Sequence, residues 1–196
     1  MSYTLNATDA DCYKGTTVLI NKFGITDEDE LNRRERLITS FKSAELIVSP
    51  FKDGFSFDDY KKIHYELFSE LYEWAGSIRT IPLSKSVTIF TAPEKIESLG
   101  DAIFKRLKGC NYFAGTDRSA LITETADLYN SLNRLHPFRE GNGRTERIFF
   151  SQLIRHAGYD INFTAENAEL LMIGTIQAAS GVMDNLVRFF DENITE

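Results

Sequence analysis

Apolar residues recur at intervals of three and four along most of this 196-residue chain, and only four prolines interrupt the pattern. Such spacing puts the apolar side chains on one face of an α-helix, and that face must pack against another element. The predicted helices are 11–23, 27–48, 56–76, 93–109, 117–135 and 144–157, with two more in 166–193. Their short connections favour one compact, mostly α domain.

The first long helix, 27–48, carries a set of apolar residues that predict its buried face. They are Leu31, Leu37, Ile38, Phe41 and Ala44. The charged run 33–36, which includes Glu35, is expected on the opposite face, because charge runs usually remain in water.

The stretch 77–91 breaks the helical rhythm. It holds two groups of β-branched and aromatic residues, 78–81 and 87–90, on either side of Leu83-Ser84-Lys85-Ser86. Residues of this kind suit the half-buried, pleated surface of a strand. The segment therefore predicts one small β-hairpin.

Composition and charge exclude several classes of protein. The formal net charge of −7 disfavours a general nucleic-acid binder, because phosphate contacts need clustered lysine and arginine. Cys12 and Cys110 are too few for a disulfide framework or a zinc knot, and His64 and His156 are expected to be packing or surface residues. With no apolar leader and no stretch of membrane-spanning length, the sequence predicts a cytoplasmic protein.

The segment 136–147, which reads HPFREGNGRTER, lies between two predicted helices and carries most of the chemistry. Pro137 disfavours helical geometry at His136, so the preceding helix should end there and leave the imidazole at its C-terminus. The run Gly141-Asn142-Gly143 can adopt positive φ, and its N–H groups can converge into an anion-binding nest at a helix N-terminus.

Charged residues flank this nest. Arg144 and Arg147 are three residues apart on the next helix, so they share a face and can both reach one polyphosphate. Glu140 would repel phosphate unless a hard cation lies between them, and Mg²⁺ is the natural bridge. The unperturbed pKa of histidine lies near neutrality, so His136 suits the deprotonation of an attacking hydroxyl.

This segment resembles the motif of the Fic family, H-x-F-x-(D/E)-G-N-G-R-x-x-R, and matches it at every fixed position. Three further stretches are similar to the family, namely 63–79, 130–135 and 186–193. The resemblance covers nearly the whole chain from about Leu19 onward.

The resemblance implies a single Fic-type helical domain, mostly α, with one small β-hairpin as a flap. An N-terminal helical extension, 1–50, would precede the Fic core domain, 51–196. The implied activity is that of a protein adenylyltransferase, a nucleotidyltransferase that moves AMP from ATP onto a Ser, Thr or Tyr hydroxyl of a target protein. Mg²⁺ would be the cofactor.

The motif also implies a role for each of its residues. His136 would be the catalytic base, Phe138 would point inward and fix the loop, and Glu140 would hold Mg²⁺ between the α- and β-phosphates. Arg144 would bind the β-phosphate region and Arg147 the γ-phosphate. The ATP site would be completed by the backbone of Gly141, Asn142 and Gly143, together with the side chain of Asn142.

The flap would dock a segment of the target by strand addition. Its residues are Ser84, Lys85, Ser86, Val87, Thr88, Ile89 and Phe90. Lys85 is either a further nucleotide contact or an exposed loop lysine, and the sequence favours neither.

Several functions other than AMP transfer stay open. A glycine at position 143 argues against the Doc subfamily, which has lysine there and phosphorylates its target. Family members that transfer UMP or phosphocholine, or that remove AMP, differ mainly outside the motif. A non-enzymatic binding module is a further alternative, although the intact motif disfavours it.

Many Fic enzymes are inhibited by a helix with the pattern Ser/Thr-x-x-x-Glu-Gly/Asn. Glutamates followed by glycine or asparagine occur at Glu140, Glu166 and Glu192, but no serine or threonine lies four residues earlier. The chain also stops soon after the last core helix. We therefore expect a bacterial toxin whose inhibitory helix belongs to a separate small antitoxin protein. The alternatives are an unregulated enzyme and a fragment of a longer chain.

Overall fold

A computed structural model describes residues 10–49, 54–85 and 88–196. The helices are α1 (Glu28–Val48), α2 (Phe57–Phe68), α3 (Ile96–Gly109), α4 (Arg118–Leu135), α5 (Asn142–His156), α6 (Ala168–Ala179) and α7 (Asp184–Asn193). The strands are β1 (Ser84–Lys85), β2 (Thr88–Ile89), β3 (Asp160–Ile161) and β4 (Ile194–Thr195). The prediction of a mostly α fold with a small hairpin is confirmed.

The strands form two separate antiparallel pairs. In the predicted hairpin, Ser84 lies opposite Ile89 and Lys85 opposite Thr88, so its first strand is 84–85 rather than 78–81. Residues Ser86 and Val87 of the predicted flap lie outside the described residues. The second pair, β3 with β4, was not predicted.

Local capping interactions explain why several helices begin where the sequence predicts. The Ser56 hydroxyl accepts a hydrogen bond from the Asp59 N–H at 3.1 Å, and the Asp59 carboxylate accepts one from the Ser56 N–H at 2.9 Å. Asp27 and Asp117 cap α1 and α4 in the same manner, each through one side-chain oxygen. Each cap satisfies N–H groups that a helix start leaves without a partner.

The prediction that α2 continues to residue 76 is wrong. The helix ends at Phe68, whose carbonyl accepts hydrogen bonds from both the Leu71 and the Tyr72 N–H at 2.9 Å. The chain turns at this point, and Leu71 still reaches the core because the turn directs it inward. Periodic apolar spacing therefore continues past the end of the helix.

The predicted helix 11–23 is also wrong. Cys12 pairs with Leu19 in an antiparallel bridge, and the Tyr13 N–H donates to the Val18 carbonyl at 2.9 Å. Gly15 supplies the positive φ, 76°, that the reversal needs. The segment is thus a short hairpin-like turn.

The predicted buried face of α1 is wrong in part. Leu37 is 70% exposed and Phe41 is 63% exposed, whereas Glu35 is only 8% exposed. The inward stripe follows a spacing of four through Leu31, Glu35 and Thr39. The buried face of α1 therefore includes two polar residues, Glu35 and Thr39, which the apolar pattern did not predict to be buried.

The core lies around α5, which packs against α1, α2 and α4. Aromatic rings fill much of this region; Tyr60 contacts both Phe138 and Phe149. Helices α6 and α7 pack against each other and against α4. In the residues that the structure describes, no helix is both long and apolar enough to cross a membrane.

Two glycines of α3 provide a test of how tightly it packs. A Cβ at Gly100 would lie 2.3 Å from the Phe57 ring, whereas a Cβ at Gly109 would meet no atom within 4 Å. We expect Gly100→Ala to lower the free energy of unfolding by about 1–3 kcal/mol, because the ring must move. Gly109→Ala should be neutral or stabilising by up to about 1 kcal/mol. Urea titrations measure both, and equal effects would contradict the close contact.

Candidate active site

The predicted catalytic segment forms the turn between α4 and α5. His136 follows the last residue of α4 in a left-handed conformation, with φ of 44°. Gly141 is also left-handed, with φ of 81°, and α5 begins at the next residue. A Cβ at position 141 would lie 2.3 Å from the Phe68 ring, so this position requires glycine for its angle and for its close approach. Gly143 lies inside α5 without a positive φ, contrary to prediction.

Asn142 holds the turn together from within. Its side-chain oxygen accepts a hydrogen bond from the Phe138 N–H at 2.9 Å, and its amide nitrogen donates to the Phe138 carbonyl at 2.8 Å. Asn142 is fully buried. The side chain organises the turn, and Phe138 points into the core beneath it. A contact between Asn142 and phosphate stays a prediction.

His64 supports the same turn from α2. Its Nε2 lies 3.0 Å from the Glu140 carbonyl, and its Nδ1 accepts a hydrogen bond from the Gly76 N–H at 2.8 Å. Because a carbonyl can only accept, Nε2 carries the proton of a neutral ring. Burial lowers the pKa of His64 to about 3, and the charge of Arg144 acts in the same direction. His64 is a packed residue, as predicted, but it also contacts the catalytic turn.

The imidazole of His136 is oriented for proton acceptance. Its Nδ1 lies 3.2 Å from the Asn133 carbonyl and so donates to it, which leaves Nε2 as the basic nitrogen. The ring stacks on Phe90 with centroids 3.7 Å apart. Burial, together with the charges of Arg79 and Lys85, lowers the pKa of His136 to about 3. The ring is therefore unprotonated near neutral pH, as a general base must be.

Arg79 connects this turn with the flap. Its guanidinium donates to the His136 carbonyl at 2.8 Å and to the Ile81 and Thr91 carbonyls at 2.6 Å each. Ile81 and Thr91 lie on opposite sides of the hairpin, so one buried side chain sets the base of the flap relative to the imidazole. The sequence pattern did not predict this role for Arg79.

The flap presents different faces to solvent and to the site. Ile89 is 85% exposed, whereas the next residue, Phe90, is buried against His136. The positive charge of Lys85 lowers the pKa of both His136 and Glu140. Its contact with a nucleotide stays a prediction.

Arg144 and Arg147 both line one cavity of about 550 Å³, which lies beside α5 and is also lined by Ser43 of α1. The two arginines thus face a common space large enough for a ligand. Arg144 forms ion pairs with Glu35 at 2.6 Å and with Glu140 at 3.2 Å. Arg147 forms no ion pair among the residues that the structure describes.

Glu140 has the chemistry of a magnesium ligand. Burial raises the pKa of its carboxyl, and Glu35 acts in the same direction, while Arg144 opposes both. No group of three or more His, Cys, Asp or Glu side chains suited to a metal occurs within the described ranges. A single carboxylate still fits Mg²⁺, which usually keeps several waters and binds substrate phosphates.

Two contacts to the site come from residues that the sequence did not single out. Glu35 forms an ion pair with Arg144. The only feature of the sequence that could have predicted its burial is its position four residues after the buried Leu31. Arg139 lies in the turn itself; it is buried and donates to Asp11 at 3.2 Å. No local pattern could reveal this second contact, because its partners are far apart in the chain.

The two buried histidines, His64 and His136, should make the protein sensitive to acid. Their folded pKa of about 3 lies below the unfolded value of about 6.5, so the unfolded state binds more protons as the pH falls through this window. When the pH falls from about 7.5 to about 5, each histidine should therefore lower the free energy of unfolding by about 2 kcal/mol. In His64→Gln, the free energy of unfolding should fall by about 2 kcal/mol less than in the wild type over the same pH range. Urea unfolding at both pH values measures this difference.

The exposed His156 offers the matched control for this measurement. His156→Gln should show the same loss of stability on acidification as the wild type. If His64→Gln lost as much as the wild type, His64 would not be neutral in the folded protein.

Comparisons with known proteins give sequence matches over most of the chain. The Fic/DOC family model matches residues 54–154. The chain is 35% identical over 181 residues to the protein adenylyltransferase VbhT of Bartonella schoenbuchensis, an alignment that covers 92% of this chain and 38% of VbhT. It is 34% identical over 174 residues to the probable protein adenylyltransferase y4lH of Sinorhizobium fredii, covering 88% of this chain and 89% of that protein.

The fold is similar to that of a solved relative. The crystal structure of BepC, a VirB-translocated effector protein of Bartonella tribocorum with bound AMPPNP, superposes with a TM-score of 0.86 and 26% identity. The match covers 94% of this chain and 95% of that one. The family model spans more than half of the sequence, and y4lH is matched along most of its length, so this protein belongs to the Fic/DOC family.

Proposed function

We propose that this chain is a protein adenylyltransferase that transfers AMP from ATP to a hydroxyl side chain of another protein. One observation carries the proposal: the unprotonated imidazole of His136 lies at the start of a turn that leads into a helix with two arginines facing one cavity. VbhT and y4lH are named protein adenylyltransferases, and BepC binds an ATP analogue, which supports the choice of nucleotide.

In the proposed reaction, Nε2 of His136 accepts the proton of a Ser, Thr or Tyr hydroxyl. The hydroxyl oxygen attacks the α-phosphorus of ATP, a new O–P bond forms, and the bond to the β-phosphate bridging oxygen breaks. AMP is then esterified to the target, and pyrophosphate leaves. Positioning of the reactants and neutralisation of phosphate charge supply most of the catalysis.

The phosphates would lie at the N-terminus of α5, where backbone N–H groups have no partner within the helix. In this arrangement the backbone of Gly141, Asn142 and Gly143 lines the phosphates, Arg144 binds near the β-phosphate and Arg147 near the γ-phosphate. Mg²⁺ held by Glu140, when bound, would neutralise charge between the α- and β-phosphates.

The flap would bind the target. Strand β2 carries the exposed Ile89 and lies next to Phe90, which contacts the imidazole of His136. A target segment that pairs with the hairpin backbone would therefore bring its hydroxyl close to the base. Arg79 fixes both sides of the hairpin, which supports a docking surface of constant position.

Labelled ATP tests this function directly. Incubation of the protein with Mg²⁺ and a bacterial lysate should label a protein from ATP labelled at the α-phosphate and not from ATP labelled at the γ-phosphate. His136→Ala should lower the label by at least about 100-fold, because a general base contributes that much or more. His156→Ala, on the surface, should keep full activity. Label from the γ-phosphate would instead indicate a kinase, and label from neither would contradict AMP transfer.

We further propose that the protein acts as a toxin and that a separate antitoxin inhibits it with a Ser/Thr-x-x-x-Glu-Gly/Asn helix. The cavity beside Arg147 supports this proposal, since that arginine has no ion pair within the described residues and could receive the glutamate of such a helix. The same glutamate would exclude the γ-phosphate.

A synthetic helical peptide with this pattern tests the proposed regulation. It should raise the KM for ATP by about tenfold or more, because one charge-assisted contact to the γ-phosphate is replaced. The same peptide with alanine in place of glutamate is the control. Equal inhibition by the two peptides, or none by either, would argue against an antitoxin of this type.

A further inference from the structure

Glu35 of α1 uses both oxygens of its carboxylate inside the protein. Its Oε1 accepts a hydrogen bond from Nη2 of Arg144 at 2.6 Å, and its Oε2 accepts one from the Tyr72 hydroxyl. A buried carboxylate is tolerated only when it is paired in this way. The N-terminal helix therefore contributes a charged group to the motif arginine on α5.

Arg144 is held on several sides by this arrangement. Its Nη1 donates to the Thr39 hydroxyl at 3.3 Å, and that hydroxyl donates to the Glu35 carbonyl at 2.8 Å. The guanidinium carbon lies 4.7 Å from the centre of the Phe68 ring, which forms a cation–π contact. The side chain is thus ordered before any ligand binds.

Ordering of this kind has a consequence for affinity. A mobile arginine loses side-chain entropy when a ligand fixes it, and a preordered one does not. Nη2 bonds Glu35 and Glu140, and Nη1 bonds Thr39, which uses three of the five N–H donors of a guanidinium. Among the described residues, the other two have no partner, so they can donate to a phosphate.

Glu35 and Glu140 both bond the same nitrogen of Arg144. The distance from Nη2 is 2.6 Å to Glu35 and 3.2 Å to Glu140, so Glu35 makes the shorter contact. Without Glu35, Arg144 would pair with Glu140 alone and would turn toward the metal-binding carboxylate. Glu35 therefore shares the charge of Arg144 with Glu140, and Glu140 keeps only the longer of the two contacts.

We propose that Glu35 is a positioning residue for nucleotide binding, which acts by orienting Arg144 toward the β-phosphate region and is itself fixed by Tyr72. This inference rests on the proposed use of ATP. It assigns to α1 a direct part in the site, beyond the residues of the motif.

The test compares the binding of ATP and AMP to Glu35→Gln by calorimetry. The dissociation constant for ATP should rise about tenfold, because a charge-assisted contact that orders the arginine is weakened. The constant for AMP, which lacks a β-phosphate, should change by less than about twofold. Tyr72→Phe, a milder change, should give the same pattern with a smaller loss, and it keeps the test valid if Glu35→Gln does not fold.

Two controls separate positioning from a general loss of structure. Glu30→Gln changes an exposed glutamate on the same helix and should bind both nucleotides like the wild type. In an Arg144→Gln background, the further change Glu35→Gln should alter ATP affinity by less than about twofold, because Glu35 acts only through that arginine.

Equal weakening of ATP and AMP would overturn the inference, as would unchanged ATP affinity or additive effects of the two substitutions. A wild-type protein that binds ATP but transfers no AMP would contradict the proposed function alone, since the ratio of ATP to AMP affinity does not depend on the reaction.

Discussion

The turn between α4 and α5 must hold two left-handed residues, His136 and Gly141, and the chemistry of the site depends on this backbone. For a residue other than glycine, the left-handed conformation costs about 1–2 kcal/mol, so the surroundings must stabilise it. Asn142 does so from inside the turn by bonding both peptide groups of Phe138. The position of the imidazole is consequently set by the backbone as well as by the rotamer of its own side chain.

Elements far apart in the chain complete the support of this turn. His64 of α2 bonds the Glu140 carbonyl, and Arg79 bonds the carbonyl of His136 together with both sides of the flap. These polar side chains are buried, and each one finds a backbone partner, as buried polar groups must. In a region of low dielectric, such hydrogen bonds are stronger than in water, and those of Arg79 link the turn to the base of the flap.

The parts of the structure that the sequence predicted well are those fixed by local interactions. The starts of α1, α2 and α4 follow from caps made within a few residues, and the α4–α5 turn follows from Pro137 and Gly141. The predictions failed where contacts other than the i-to-i+4 pattern of a helix decide the structure. The segment 11–23 has helical spacing, yet a bridge between Cys12 and Leu19 makes it a turn.

Strand pairing between distant segments was beyond the reach of the sequence for the same reason. Strands β3 and β4 have two residues each and lie on either side of α6 and α7, so neither shows an alternating pattern. Within the candidate site, the motif predicted that Arg144 and Arg147 share one face of α5, where both line one cavity. The motif did not predict that the Asn142 side chain bonds the backbone of the turn. It also did not predict that His64 and Arg79 bond carbonyls of the turn, or that Glu35 bonds Arg144.

The inward face of α1 shows how a helix can serve a site in preference to the core. Apolar residues at 37 and 41 remain in solvent, while Glu35 and Thr39 face α5 and bond Arg144. Further along the same interface, the Gln152 side chain donates to the Leu46 carbonyl at 3.0 Å. An interface made from hydrogen bonds and an ion pair is directional, which apolar packing is not, so it fixes the rotation of α1 about its axis. That rotation is what brings a carboxylate of the N-terminal helix to the arginine of the motif.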